Sequence, residues 1–202
     1  MKRLLVTLAL ISIFSFSKAQ QLQLGLRFNP QISWYNITNE NQKLYIENDA
    51  AKLGFSYGLM ADVNFTENYA LSSGIFHNLF YAKTSVDTSI FSPDYKDWKL
   101  QYIQIPLLLK MKTNVINNFI YYGKFGLTPQ MRINAEVDTK VAENIRLFNL
   151  YLTIGGGIHY LIGGNTALLG GITFHNGFVK INKDDEFNIK TGYFSLDLGV
   201  LF

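Results

Sequence analysis

Apolar and polar residues alternate with a period of two along most of the chain. Between 52 and 65, Leu53, Phe55, Tyr57, Leu59, Ala61, Val63 and Phe65 occupy one set of positions. Lys52, Gly54, Ser56, Gly58, Met60, Asp62 and Asn64 occupy the other, with Met60 the single exception. A helical period would scatter these residues around an axis, so the segment predicts a strand with one apolar and one polar face. Segments 22–34, 69–83, 98–112, 119–133, 148–162, 165–179 and 191–202 repeat the pattern, which makes eight strands. The connections 66–68, 113–118 and 163–164 are short and carry turn residues, whereas 35–51, 84–97, 134–147 and 180–190 are long and polar. Tight turns at one end and loops at the other predict an antiparallel up-and-down meander. Residues 147–179 carry no charge and would also suit a helical hairpin in a membrane. Gly155-Gly156-Gly157, Gly163-Gly164 and Gly170-Gly171 argue against that, because each interior glycine costs a helix about 1 kcal/mol.

Alternation does not say which face is wet, and a soluble lipocalin-like barrel would share it. The segments are 12 to 15 residues long, against the five or six usual in globular sheets. A tilted strand crossing a bilayer needs about 9 to 11. The polar faces hold small residues and isolated charges, as a narrow filled interior requires. The apolar face is therefore read as lipid-facing. Backbone groups left unpaired in lipid are costly, so the sheet must close on itself. The fold class is all-β, an eight-stranded antiparallel transmembrane β-barrel whose interior is filled by side chains.

Composition adds an address. Met1-Lys2-Arg3, the apolar run 4–16 and Ser17-Lys18-Ala19 have the layout of a secretory signal peptide. The expected domains are a signal peptide, 1–19, and a barrel domain, 20–202. Removing Lys2, Arg3 and Lys18 from the 18 basic residues leaves the barrel with as many basic as its 15 acidic side chains. That balance does not suggest a nucleic-acid surface. With Cys 0 there is no disulfide framework, thiolate metal site or thiol nucleophile. Aromatic residues at 15% and charged residues at 16% exclude a disordered chain.

The stretch Tyr102-Ile103-Gln104-Ile105-Pro106-Leu107-Leu108-Leu109-Lys110 resembles a strand typical of the PorT-like outer-membrane β-barrel family. The Gly-rich Gly155-Gly156-Gly157-Ile158-His159-Tyr160 and the segment Phe174-His175-Asn176-Gly177-Phe178 also fit its pattern. The resemblance implies an eight-stranded barrel in a Gram-negative outer membrane and, through the family's namesake, an association with protein secretion. It brings no catalytic residues. Phe194, Leu196, Leu198, Val200 and the terminal Phe202 resemble the signal by which barrel-assembly machinery recognises its clients. The implied partners are outer-membrane lipid and lipopolysaccharide, the assembly machinery with periplasmic chaperones, and a secretion-system or surface protein.

Candidate chemistry is sparse. The three histidines, His77, His159 and His175, have no Ser two residues away on their own strands and are read as structural. Asp184-Asp185-Glu186 reads as a solvated loop tip between Lys183 and Lys190 rather than a Ca²⁺ site. No cofactor or metal is expected. Pro106, lacking an N–H, predicts a bulge or a missing ladder bond in mid-strand. Inward positions counted from the strand ends predict a lumen charge network centred on Arg27 between Asp62 and Asp197, with Lys110 and Lys124 across from it. The expected function is a non-enzymatic outer-membrane barrel acting through its extracellular loops as scaffold, surface-interaction protein or secretion accessory. The alternatives are a membrane-embedded lipid A-modifying enzyme, a small pore and the soluble lipocalin-like barrel.

Overall fold

The computed structural model describes residues 21–39, 46–47, 52–86, 94–137, 140–141, 146–179 and 187–202. The expected signal peptide and the tip 184–186 lie outside them. All regular structure among the described residues is strand: β1 (Gln21–Asn39), β2 (Ile46–Glu47), β3 (Lys52–Asn64), β4 (Tyr69–Val86), β5 (Asp94–Gln104), β6 (Leu107–Lys112), β7 (Phe119–Val137), β8 (Lys140–Val141), β9 (Phe148–Gly163), β10 (Thr166–Gly177) and β11 (Phe187–Leu201). Every pairing is antiparallel. The order runs β1, β3, β4, then β5 and β6 as two halves of one wall strand, then β7, β9, β10 and β11. β11 pairs with β1, which closes eight wall strands into a barrel. The seam is sewn to its end: Phe202 N–H donates to Leu24 C=O at 2.9 Å and Leu24 N–H donates back at 3.3 Å.

The wall strand split into β5 and β6 breaks at Ile105-Pro106, where the sequence predicts a missing bond. Ile105 N–H still reaches Pro129 C=O at 3.1 Å, so the break is confined to the proline. The register with β7 also shifts between Gln101 and Tyr102. At the short-turn end, Asn117 and Asn118 take φ of 48° and 69°, the left-handed region that asparagine tolerates. Several wall strands outrun the apolar alternation. β1 continues past Trp34 to Asn39 by pairing with β11, and β4 continues to Val86 opposite β5 and β2. The apolar alternation assigns these extensions to loops because the apolar face stops there. Backbone pairing continues beyond the apolar band, where no apolar face is required.

The face assignment follows the alternation. Leu22, Leu24, Leu26 and Phe28 on β1, Leu53 and Leu59 on β3, and Ile154 and Ile172 on β9 and β10 all point out and are exposed. Arg27, Asn29, Gln31 and Ser33, which alternate with the β1 set, are buried. The described residues thus form a barrel inverted relative to a soluble protein, with an apolar outside and a polar inside, which is stable in lipid. Stacked or tilted rings mark both ends of the apolar band. Phe65 and Tyr69 (6.5 Å) and Phe119 and Tyr160 (5.0 Å) lie at the short-turn end. Trp34, Phe174 and Phe194 cluster at the other, with centroids 5.0 to 6.0 Å apart. Gly192 pairs with Trp34 across the β1–β11 seam. A Cβ there would meet the indole at 2.7 Å, so only glycine lets the ring lie across the strand.

Candidate functional site

The lumen is where the polar side chains converge. Beginning at the loop end, its first layer is aromatic: Phe80, Leu100, Tyr102, Ala135, Tyr151 and Tyr193 pack together. Tyr193 stands edge-on to Phe80 at 5.1 Å and Tyr151 at 5.3 Å, and stacks on His175 at 4.1 Å.

Below this lies a belt of amides. Gln31 Nε2 donates to Asn78 Oδ1 (2.6 Å), and Asn78 Nδ2 donates to Gln104 Oε1 (3.0 Å). Gln130 Nε2 donates to the same Gln104 oxygen (2.9 Å) and to the Tyr193 hydroxyl (3.0 Å). These bonds run from β1 through β4, β5 and β7 to β11, the neighbour of β1, and so cross the lumen from wall to wall. The sequence places Gln31, Gln104 and Gln130 on inward positions, yet it carries no signal for their convergence, which depends on barrel register.

The deepest layer holds the charges, interleaved with Met60, Phe76, Tyr122, Ala167, Leu169 and Leu201. Lys110 and Lys124 face each other directly across the β6–β7 ladder, which sets like charges side by side. They diverge. Lys110 Nζ reaches over β4, where the inward residues Ala70 and Ser72 are small, to Asp62 Oδ2 on β3 at 2.5 Å. Lys124 Nζ reaches over β9 and β10 to Asp197 Oδ2 on β11 at 2.6 Å. Gly155, its neighbour on β9, clears that path, since a Cβ there would meet the Lys124 chain at 3.0 Å and the Thr173 hydroxyl closer still. Asp197 also accepts from Thr173 Oγ1 (2.6 Å) and Ser195 Oγ (3.4 Å). Lys110 is 1% exposed and Asp62 0%, so the pair is removed from water.

The five residues predicted for this network therefore lie together in the lumen, but Arg27 is not the centre. Among the described residues no ion pair within 4 Å joins Arg27 to a carboxylate. Its guanidinium lies 4.3 Å from the centroid of the Phe76 ring instead. The reason is register. Asp62 pairs with Gln23, four residues from Arg27, and Arg27 pairs with Gly58 on one side and Gly199 on the other. Counting from strand ends puts Arg27 and Asp62 at one height, whereas the ladder offsets them by four residues; Asp197 stays diagonal to Arg27 across the seam, two residues from Gly199, but its Oδ2 is taken by Lys124.

The histidines occupy three settings. His159 lies in the charged layer, with Nε2 3.4 Å from Lys110 Nζ and its ring 4.8 Å from that of Tyr122. His175 Nδ1 bonds Thr153 Oγ1 (3.0 Å), and its Nε2 lies 3.5 Å from Ser195 Oγ. Ser195 stands between His175 and Asp197, so no carboxylate orients the imidazole as a Ser–His–Asp relay requires. His77 faces outward. Among the described residues no group of three His, Cys, Asp or Glu side chains is placed to hold a metal ion. The arrangement fills space, pairs buried charge and ties opposite walls together. Phe194, Leu196, Leu198, Val200 and Phe202 all project outward from the closing strand and its end.

The profile of the family described as Outer membrane protein beta-barrel domain matches residues 6–202. The chain belongs to that family. It is an outer-membrane β-barrel protein, and the soluble lipocalin-like alternative is set aside. Two solved barrels share the fold at low identity. Neisserial surface protein A is 14% identical with a TM-score of 0.54, covering 88% of this chain and 95% of that one. OprG from Pseudomonas aeruginosa is 10% identical with a TM-score of 0.55, covering 91% and 97%. A search of curated proteins finds no sequence match.

Proposed function

We propose that this outer-membrane barrel is a non-enzymatic, non-conducting anchor of the PorT-like type that works through its extracellular loops, as a scaffold, surface-interaction or secretion-accessory protein. The observation that carries this reading is the filled lumen. Aromatic layer, amide belt and paired charges succeed one another along the axis, and what remains to meet a partner is the loop end. The I-P-L-L-L-K strand and the secretion link of its namesake family favour a secretion accessory among these roles. The outward phase of Phe194 to Phe202 supports reading them as the signal for the assembly machinery, with periplasmic chaperones delivering the chain.

Lipid A profiles from cells with and without the protein test the non-enzymatic part, and identical profiles are expected. A change in acyl-chain number or hydroxylation would contradict it. Photocrosslinkers placed in the four loops of intact cells test the interaction part. A discrete crosslinked protein is expected, and crosslinks to lipid alone would contradict it.

A further inference from the structure

Between the two aromatic girdles, the described lipid-facing side chains are apolar around most of the barrel. The exception is the sector of β3, β4 and β5. There Tyr57, His77 and Gln101 project outward and are joined. The His77 ring stands between the other two, with Nδ1 3.1 Å from the Tyr57 hydroxyl and Nε2 3.3 Å from Gln101 Oε1. Register builds the trio, since Tyr57 pairs with His77 across β3–β4 and Gln101 pairs with Leu79, two residues beyond His77 on β4. The Tyr57 and His77 rings meet edge-on at 5.4 Å.

Polar groups facing hydrocarbon are costly unless paired, and the trio pairs itself only in part. When Gln101 Oε1 accepts from Nε2–H, Nδ1 accepts from the Tyr57 hydroxyl. The two N–H donors of the Gln101 amide and the lone pairs of the Tyr57 oxygen then have no protein partner among the described residues. The site thus offers both donors and an acceptor to whatever covers it.

Its depth says what that is. Tyr69 marks the short-turn girdle, and short turns face the periplasm in such barrels. His77 lies eight residues further along β4 and Leu79, beside Gln101, ten. At about 3.3 Å per residue and about 40° of tilt, these stand roughly 20 and 25 Å above Tyr69. The apolar band is about 25 Å tall. The Gln101 amide is therefore level with the outer edge of the hydrocarbon, where acyl chains join their headgroup in the outer leaflet.

We propose that Tyr57, His77 and Gln101 form a lateral binding site for the acyl-linkage region of the outer-leaflet glycolipid, lipopolysaccharide. The Gln101 amide donates to an acyl carbonyl, and the Tyr57 oxygen accepts from a linkage N–H or a hydroxyacyl O–H. A diacyl glycerophospholipid offers only ester acceptors at that depth and leaves the tyrosine oxygen without a donor. The test is native mass spectrometry of the protein refolded in detergent and offered lipid A and phosphatidylethanolamine in equal amounts. The wild type is expected to retain lipid A preferentially. H77L/Q101L is expected to retain about tenfold less lipid A, the loss of one or two hydrogen bonds, with phosphatidylethanolamine unchanged and heat-modifiable migration intact. Gln101→Leu alone, which leaves the Tyr57–His77 contact in place, gives the same comparison should the double variant misfold. Equal lipid A retention by wild type and variants, or equal retention of the two lipids by the wild type, would overturn the assignment.

Discussion

Replacing Lys124 by Met removes a cation from the deepest lumen layer and keeps a side chain of similar length. Asp197 is 1% exposed and would be left with hydrogen bonds from Thr173 and Ser195 but without its cation. Breaking one partner of a buried pair costs about 3–5 kcal/mol, mostly the cost of the charge left behind. Lys112 supplies the internal control. It bonds Asn64 Oδ1 at the half-exposed mouth of the lumen and, among the described residues, has no carboxylate within 4 Å, and its replacement by Met should cost no more than about 1 kcal/mol. The assay is equilibrium unfolding of the refolded protein in detergent with urea, read by tryptophan fluorescence and by gel mobility with and without heating. K124M/D197N, which also neutralises the stranded carboxylate, should recover most of the loss. Equal midpoints for Lys124→Met and Lys112→Met would refute the paired-charge account of the lumen. So would a double variant no more stable than Lys124→Met alone.

Arg27→Met should cost less than Lys124→Met in the same assay, about 1–2 kcal/mol, because a ring contact and not an ion pair is lost; a larger cost would restore Arg27 to the centre. Gly155→Val should destabilise the barrel by about 1–3 kcal/mol by forcing Lys124 and Thr173 aside, and the loss should shrink when Lys124 is already Met. Deleting Phe202, or replacing it with Lys, should leave the chain in the periplasm, checked by membrane fractionation; wild-type membrane levels would count against the terminal signal. Protease on whole cells should cut within 87–93 or 180–186 and spare the turns 65–68 and 164–165, and the reverse pattern would invert the topology.

The sequence carries the wall of this barrel almost completely, because strand period is a one-dimensional property. Asp62, Lys110, Lys124 and Asp197 could be assigned to the inside by parity alone, as could the outward phase of Phe194 to Phe202. Pro106 announced its own break in the ladder. What parity leaves open is register, and register decides which inward side chains meet. Arg27 and Asp62 looked level from their strand ends, but the pairing of Gln23 with Asp62 moves them apart. Lys110 and Lys124 find carboxylates on strands that are not their neighbours, through gaps left by Ala70, Ser72 and Gly155. The amide belt was invisible for the same reason. The trio at His77 leaves no signal in the sequence because its members lie on three strands, and each alone is an ordinary exception in an apolar face.

Whether the barrel's own side chains close its lumen is read from planar-bilayer conductance of the purified protein. A lumen plugged in this way gives no unitary steps above the bare-bilayer baseline at moderate voltage in concentrated salt. Steady single-channel openings by the wild type, of uniform size and abolished by denaturing the protein first, would contradict it.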